Sequence, residues 1–252
     1  MKVGTLDVSI LVDAEGSFAT VAQAFPALTS DEPWRLPVNA VLVRGPDATV
    51  LIDTGVGPEP RSFMSGAGAR LIDELASLGA RPEDVDVVVH THLHVDHVGW
   101  DGHFPNARYV VHRDEWSFFM STESLRGRPH LEEKLVPLEQ AGRVELLTGE
   151  ADVADGVRLV PTPGHTPGHM SVRLESERDR LMVLGDVVVY EAQVADPDLV
   201  YVSDEAAALA VETRKRVLAE LADEGTPMIA GHFVGVARVT RMDGAFGLRP
   251  LP

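Results

Sequence analysis

The chain has 252 residues, no cysteine, and a formal charge of -17 from 22 Lys+Arg against 39 Asp+Glu. Without cysteine, disulfides and thiolate ligands are excluded, so any bound metal must take nitrogen and oxygen donors. The acidic balance repels polyanions and argues against a nucleic-acid substrate, although bound cations would offset part of it locally.

Val3 to Val12 alternates apolar and polar residues and predicts an opening strand. From Asp13 to Leu36 the alternation lapses around Phe18, Phe25, Pro26, Pro33 and Trp34, which predicts a long irregular segment, either a lid or substrate wall or an excursion whose aromatics merely dock on the core. Strands are expected at Asn39 to Arg44 and Thr49 to Ile52, the second running into Asp53-Thr54-Gly55-Val56-Gly57. Asp53 is placed to accept a hydrogen bond from a ligating imidazole, though an ordinary turn aspartate reads the same way. Ala69 to Leu78 predicts a short helix stopped by Gly79. Val85 to Val89 is an apolar run of β-branched character, the pattern of a buried strand.

Arg108 to Val111 predicts a strand, and Asp114 to Met120 a helix whose aromatics suit either core or a pocket wall. Leu131 to Val136 looks briefly helical until Pro137, which should end or kink it. Short strands follow at Arg143 to Leu147, Val157 to Val160, Met170 to Leu174 and Leu181 to Leu184. Ser203 is the expected cap of the clearest helix, Asp204 to about Asp223, whose Ala206, Leu209, Ala210, Val217, Leu218 and Leu221 keep the 3.6 period. Pro227 to Ala230 returns to strand. No linker or repeat divides the chain, so strands punctuated by helices predict one layered α/β domain over residues 1–252. No secretory leader or apolar membrane span is evident, which makes the cytoplasm the default location.

The chemistry concentrates in His90-Thr91-His92-Leu93-His94-Val95-Asp96-His97. In an extended segment His92 and His94 share a face, and the following turn can bring Asp96 and His97 to a second point. Imidazoles with a carboxylate suit a borderline ion such as zinc. Downstream, apolar strands run into Thr162-Pro163-Gly164-His165-Thr166-Pro167-Gly168-His169, into Gly185-Asp186 and into Gly231-His232. Layered α/β proteins place ligands at such strand ends. Taken singly, each is an ordinary glycine beside an Asp or His. His90, His103, His112 and His130 lack partner spacing and read as structural.

Together, His-x-His-x-Asp-His, Gly-His-Thr-Pro-Gly-His, Gly-Asp and Gly-His, preceded by Leu51-Ile52-Asp53-Thr54-Gly55, resemble the metallo-β-lactamase fold superfamily over Asn39 to His232. The resemblance implies a four-layer αββα sandwich, classed α/β or in some schemes α+β. It implies two divalent metal ions on one edge of the paired sheets, zinc first, with manganese or iron as substitutes. His92, His94 and His165 would hold one ion, Asp96, His97 and His232 the other, with Asp186 bridging both. Asp53 matches the family's supporting aspartate, and His169 recurs in the pattern as a supporting residue rather than a ligand. The missing cysteine sets the chain apart from several true β-lactamases, and the intact His94 from the flavin-linked di-iron branch. The segment from Gly185 through Tyr190 and Gln193, with Ala230-Gly231-His232-Phe233, resembles most the acyl-homoserine-lactone lactonases and methyl-parathion-hydrolase-like enzymes. In one departure, some lactonases place a tyrosine three residues after the bridging aspartate. Val189 stands there, and Tyr190 one residue later reaches the site only if the backbone leaves regular strand geometry.

The implied activity is hydrolysis of a small ester-like substrate, a lactone before others, by hydroxide formed where two metals lower the pKa of a shared water from about 15.7 towards about 7. Asp96 and Asp186 are candidate proton shuttles and Tyr190 a candidate oxyanion donor. Phe18, Phe25, Trp34, Trp116, Phe118 and Phe119 are candidates for an apolar pocket. Alternatives are a glyoxalase-II-type thioesterase, for which Arg238, Arg241 and Arg249 are too scattered, and an organophosphate or aryl-ester hydrolase. A mononuclear iron persulfide dioxygenase is the rival from a different class. The expected partner is a small molecule, not nucleic acid or membrane; oligomeric state stays open, with a homodimer among the options.

Overall fold

Val41, Val43, Val50, Ile52, Val87 and Val89 are buried in one apolar layer, while Ala40, Leu42, Leu51 and Val88 are buried in another. Strand side chains alternate between faces, so these strands must be covered on both sides, and short runs of Val, Leu and Ile are what such burial demands. A computed structural model of the chain describes residues 1–58, 68–242 and 244–252. It places these strands in the first of two seven-stranded sheets among the described residues. That sheet runs in chain order: β1 (Lys2–Val3), β2 (Leu6–Thr20), β3 (Pro33–Arg44), β4 (Thr49–Ile52), β5 (Val87–Val89), β6 (Arg108–His112) and β7 (Val144–Leu147). Neighbours are antiparallel as far as β4 and parallel from β4 to β7. The second sheet holds β8 (Ala151–Ala154), β9 (Val157–Pro161), β10 (Met170–Ser176), β11 (Asp179–Val183), β12 (Pro227–Ile229), β13 (Ala237–Met242) and β14 (Ala245–Pro250), with β11 and β12 parallel.

The helices are α1 (Val21–Ala24), α2 (Leu71–Ser77), α3 (Arg113–Phe119), α4 (Thr122–Leu125), α5 (Pro129–Gln140), α6 (Ala192–Ala195) and α7 (Ala207–Glu224). Leu71 and Leu75 of α2, Trp116 and Phe119 of α3, and Leu131 and Leu135 of α5 pack against the outer face of the first sheet. Val217, Leu218 and Leu221 of α7 pack against the second sheet. Between the sheets lies the Val- and Leu-rich layer that includes Val172, Leu174, Val183 and Ile229. The expected αββα order of layers is therefore present. Among the described residues no helix is long and apolar enough to cross a membrane.

Several local expectations fail for identifiable reasons. The segment from Asp13 to Leu36 is not an irregular lid: β2 continues to Thr20 and pairs with β3, only α1 and residues 25–32 lie outside them, and Phe25 and Trp34 dock in the core as the alternative reading had it. Register shifts at Val12/Ala14 and Ser17/Thr20 break the alternation that would have revealed it. Helix α5 does not end at Pro137 but continues to Gln140, because Leu131, Leu135 and Leu138 are buried on its inner face and that burial offsets the missing N–H. Ser203 does not cap α7, which starts at Ala207 without a side-chain cap, and Leu209 on it is exposed. Strands β8, β13 and β14 have no counterpart in the sequence reading.

Candidate metal centre

Each element ends where it must to deliver a donor. β4 and β5 run parallel, so Asp53 and the segment Thr91 to His97 emerge at the same sheet edge. β11 and β12 do the same in the second sheet for Asp186 and His232. The turn from Thr162 to His169 joins β9 to β10. Gly185, at φ +56°, is required: a Cβ there would stand 2.7 Å from His169 Nε2 and 2.8 Å from the Thr91 side chain.

Two donor clusters result. His94 Nδ1 lies 3.1 Å from His92 Nε2 and 3.0 Å from His165 Nε2. Asp96 Oδ2 lies 3.5 Å from His232 Nε2 and 3.9 Å from His97 Nε2. Asp186 reaches both, with Oδ2 at 3.4 Å from His165 Nε2 and from His232 Nε2, and Oδ1 at 3.6 Å from His97 Nε2. All seven residues named from the motif thus converge, grouped as the resemblance implied.

The outer ring nitrogens fix the tautomers that turn the other nitrogen inward. His97 Nδ1 donates to Asp53 at 2.8 Å, His165 Nδ1 to Asp204 at 3.0 Å, and His232 Nδ1 to the Pro37 carbonyl at 3.0 Å. The Thr91 hydroxyl donates to Asp53 at 2.7 Å and lies 3.1 Å from His92 Nδ1, for which it is the acceptor. Asp53 therefore has the supporting role expected of it. His169 supports as well: its Nε2 accepts the Asp186 N–H at 3.0 Å, and its Nδ1 lies 2.9 Å from the Thr162 hydroxyl. His90 is fully buried with Nε2 2.9 Å from Asp101, in keeping with a structural reading.

Burial, with help from neighbouring imidazoles, holds His92 and His94 well below the ordinary histidine range, so both are neutral donors. Burial alone would push Asp186 up, but His232 and His97 hold it well below the usual carboxylate range. Burial likewise opposes a charge on His97, yet Asp186, Asp53 and Asp96 raise it to about 10. The carboxylates thus demand positive charge at this point. A divalent ion meets that demand while the imidazoles stay neutral. His97 Nε2 and Asp186 Oδ1 are buried without a hydrogen-bond partner, as ligand atoms facing an ion must be. The residues fit a metal pair of nitrogen and oxygen ligation.

A cavity of about 320 Å³ opens over the cluster, walled in part by Phe18, Arg128, Tyr201 and Ser203. Of the aromatics expected to line a pocket, Phe18 does so. Phe25 and Trp34 instead pack with Tyr190 and Tyr201, and Trp116 and Phe119 belong to the layer under α3. Tyr190, the expected oxyanion donor, stacks on Phe25 at 5.2 Å and is not among the described residues lining the cavity. Tyr201 does line the cavity, its ring stacked on His165 at 6.0 Å. Three supporting residues carry no motif in the sequence. Asp204 orients His165, and Arg214, fully buried, donates to Asp204 at 3.3 Å. Asp13, also fully buried, accepts from Val56 N–H at 2.7 Å and the Trp100 indole at 2.8 Å.

A sequence profile of the metallo-beta-lactamase superfamily matches residues 33–232. An N-acyl homoserine lactonase of Bacillus sp is 30% identical over 175 residues, 62% of this chain and 66% of that protein. The N-acyl homoserine lactonase AttM of Rhizobium radiobacter is 30% identical over 174 residues, 60% of this chain and 65% of that protein. The chain spans just under two thirds of the length of these relatives. Among solved structures, the hydrolase AbOPH in the beta lactamase superfamily superposes with TM-score 0.87 at 25% identity, covering 100% of this chain and 96% of that one. AidC, a dizinc quorum-quenching lactonase in complex with a product, does so with TM-score 0.85 at 21% identity and the same coverage, a likeness of fold.

Proposed function

The chain belongs to the metallo-β-lactamase superfamily, and from that premise we propose that it is a metal-dependent hydrolase that opens a small lactone. The observation that carries the proposal is the convergence of two donor clusters on one carboxylate, with Asp186 Oδ2 at 3.4 Å from both His165 and His232. Two divalent ions, zinc before manganese or iron, would polarise the ester oxygen and activate a shared water near neutral pH. The chain supplies the rest. His92, His94 and His165 are the proposed ligands on one side, Asp96, His97 and His232 on the other, with Asp186 shared. Asp96, 8% exposed at the cavity wall, holds the proton given up by water and returns it to the leaving alkoxide. Burial pushes the Tyr201 phenol above its ordinary range, so it remains an O–H donor for the ester oxygen. Phe18 and Val95, both half-buried at the wall, give the cavity an apolar side for an acyl chain.

The lactone is supported by the N-acyl homoserine lactonases among the relatives. The test is a panel of lactones, aryl esters, phosphotriesters and glutathione thioesters, run after loading with zinc, manganese or iron. Lactone opening should be fastest and should stop on chelation. Faster turnover of any other class removes the lactone assignment, and one ferrous ion per chain with dioxygen uptake removes the hydrolase.

A further inference from the structure

The loop bearing His92 and His94 leaves the first sheet, and the loop bearing His165 lies between two strands of the second. Their spacing sets whether three imidazoles can close on one ion. Between them stands Glu115, on α3, with a side chain only 1% exposed. Its Oε1 accepts the Leu93 N–H at 2.8 Å, and its Oε2 accepts the Gly168 N–H at 3.0 Å. Leu93 separates His92 from His94, and Gly168 closes the turn that begins at His165. The turn is seated directly on α3: a Cβ at Gly168 would stand 2.1 Å from the Glu115 nitrogen and 2.6 Å from its Cβ. A main-chain bond from Met170 N–H to the Thr91 carbonyl, 2.8 Å, ties the same loops once more. It leaves the two amides that flank the ligands to Glu115.

A buried carboxylate is costly to desolvate. Its neighbours on α3, Trp116 and Phe119, belong to an apolar layer. A carboxylate has two acceptor oxygens at a fixed separation, and here each is used on a different loop. Glu115 does not line the cavity and cannot touch a substrate.

We propose that Glu115 is a positioning residue, a two-oxygen staple that holds the His92–His94 loop and the His165 loop at one spacing and so sets the metal affinity of that three-histidine cluster. The inference rests on reading those histidines as ligands. The staple acts through ligand spacing, so its loss should appear at one metal position and not at the other.

The test compares the wild-type protein with Glu115→Gln, whose amide can accept only one of the two N–H groups. Leu135→Ala, in the same apolar layer on α5, serves as a control for general destabilisation. Metal-free protein is titrated with cobalt(II) against a competing chelator, and the two stepwise constants are read from the visible absorption. One constant should fall about 10–100-fold in Glu115→Gln, as when a ligand loses its orienting partner. The other constant should stay, and Leu135→Ala should keep both. Unchanged constants in Glu115→Gln, or an equal loss in Leu135→Ala, overturn the staple. Wild-type protein that takes up no cobalt overturns the ligand reading instead. Should Glu115→Gln fail to fold, amide exchange in metal-free wild-type protein decides. The Leu93 and Gly168 amides must then be protected to a similar degree, and fast exchange at either refutes the staple.

Discussion

His165 donates through Nδ1 to Asp204 at 3.0 Å, and that bond leaves Nε2 turned inward, 3.0 Å from His94 Nδ1 and 3.4 Å from Asp186. Asp204 faces the cluster through this imidazole, and its Oδ2 also accepts the N–H of Tyr201 at 3.3 Å. Replacing it by asparagine keeps the shape, removes the negative charge and allows the amide to face the ring the wrong way round. Asp204→Asn should therefore lower metal affinity about 10–100-fold while the sheets stay folded. Zinc competition with a chelator, alongside far-ultraviolet circular dichroism, measures both.

Arg214 carries the next link. Its guanidinium, 1% exposed, donates to the carbonyls of Val187, Pro197 and Leu199 and to Asp204. Arg214→Met would fill similar space but strand these acceptors and leave Asp204 buried beside no cation. Breaking a buried pair from one side costs about 3–5 kcal/mol. The expected result is a lower denaturation midpoint with an unchanged slope. An unaltered midpoint would mean the carbonyls find water instead.

The contrast between the proposed ligands and these supports explains what a sequence can disclose. His92, His94, Asp96 and His97 follow β5 within a few residues, so spacing along the chain is nearly spacing in the fold. Asp204 and His165 are 39 positions apart, and Asp204 sits in a stretch that reads as a helix start. Arg214 falls on the inner face of α7 between apolar positions, where a lone charged residue passes as part of the solvated side. The layers were legible because Val41 to Val43, Val50 to Ile52 and Val87 to Val89 alternate cleanly between two cores. The β2–β3 ribbon was not, since its irregular pairing hides the same alternation.

The cavity wall, not the aromatic cluster, separates two tyrosines. Trp34 on β3 and Phe25 beside the ribbon pack on both, at 6.0 and 5.2 Å from Tyr190 and at 5.5 and 5.4 Å from Tyr201. Tyr201 lines the cavity. Tyr190→Phe should leave kcat within about twofold, because packing survives the loss of the hydroxyl. Tyr201→Phe should lower kcat about 100-fold if the hydroxyl meets the developing oxyanion. Steady-state kinetics on the fastest lactone settles the pair, and a large loss at Tyr190 with none at Tyr201 would reverse the assignment.

Asp13 joins three segments that carry no ligand themselves. Its carboxylate accepts from Arg70 N–H and Leu71 N–H at 2.9 Å each, capping α2 from β2, since α2 has no side-chain cap of its own. It also accepts from Val56 N–H after Asp53 and from the Trp100 indole after His97. Alanine there would leave buried donors unpaired at about 1–3 kcal/mol for each that water cannot reach. Two such donors put Asp13→Ala at about 2–6 kcal/mol, enough to threaten a marginal fold. Asparagine keeps one acceptor oxygen and should cost about half as much. The order wild type, Asn, Ala in urea midpoints tests the capping role, and because Trp100 and Val56 flank the His97–Asp53 pair, metal retention should fall in the same order.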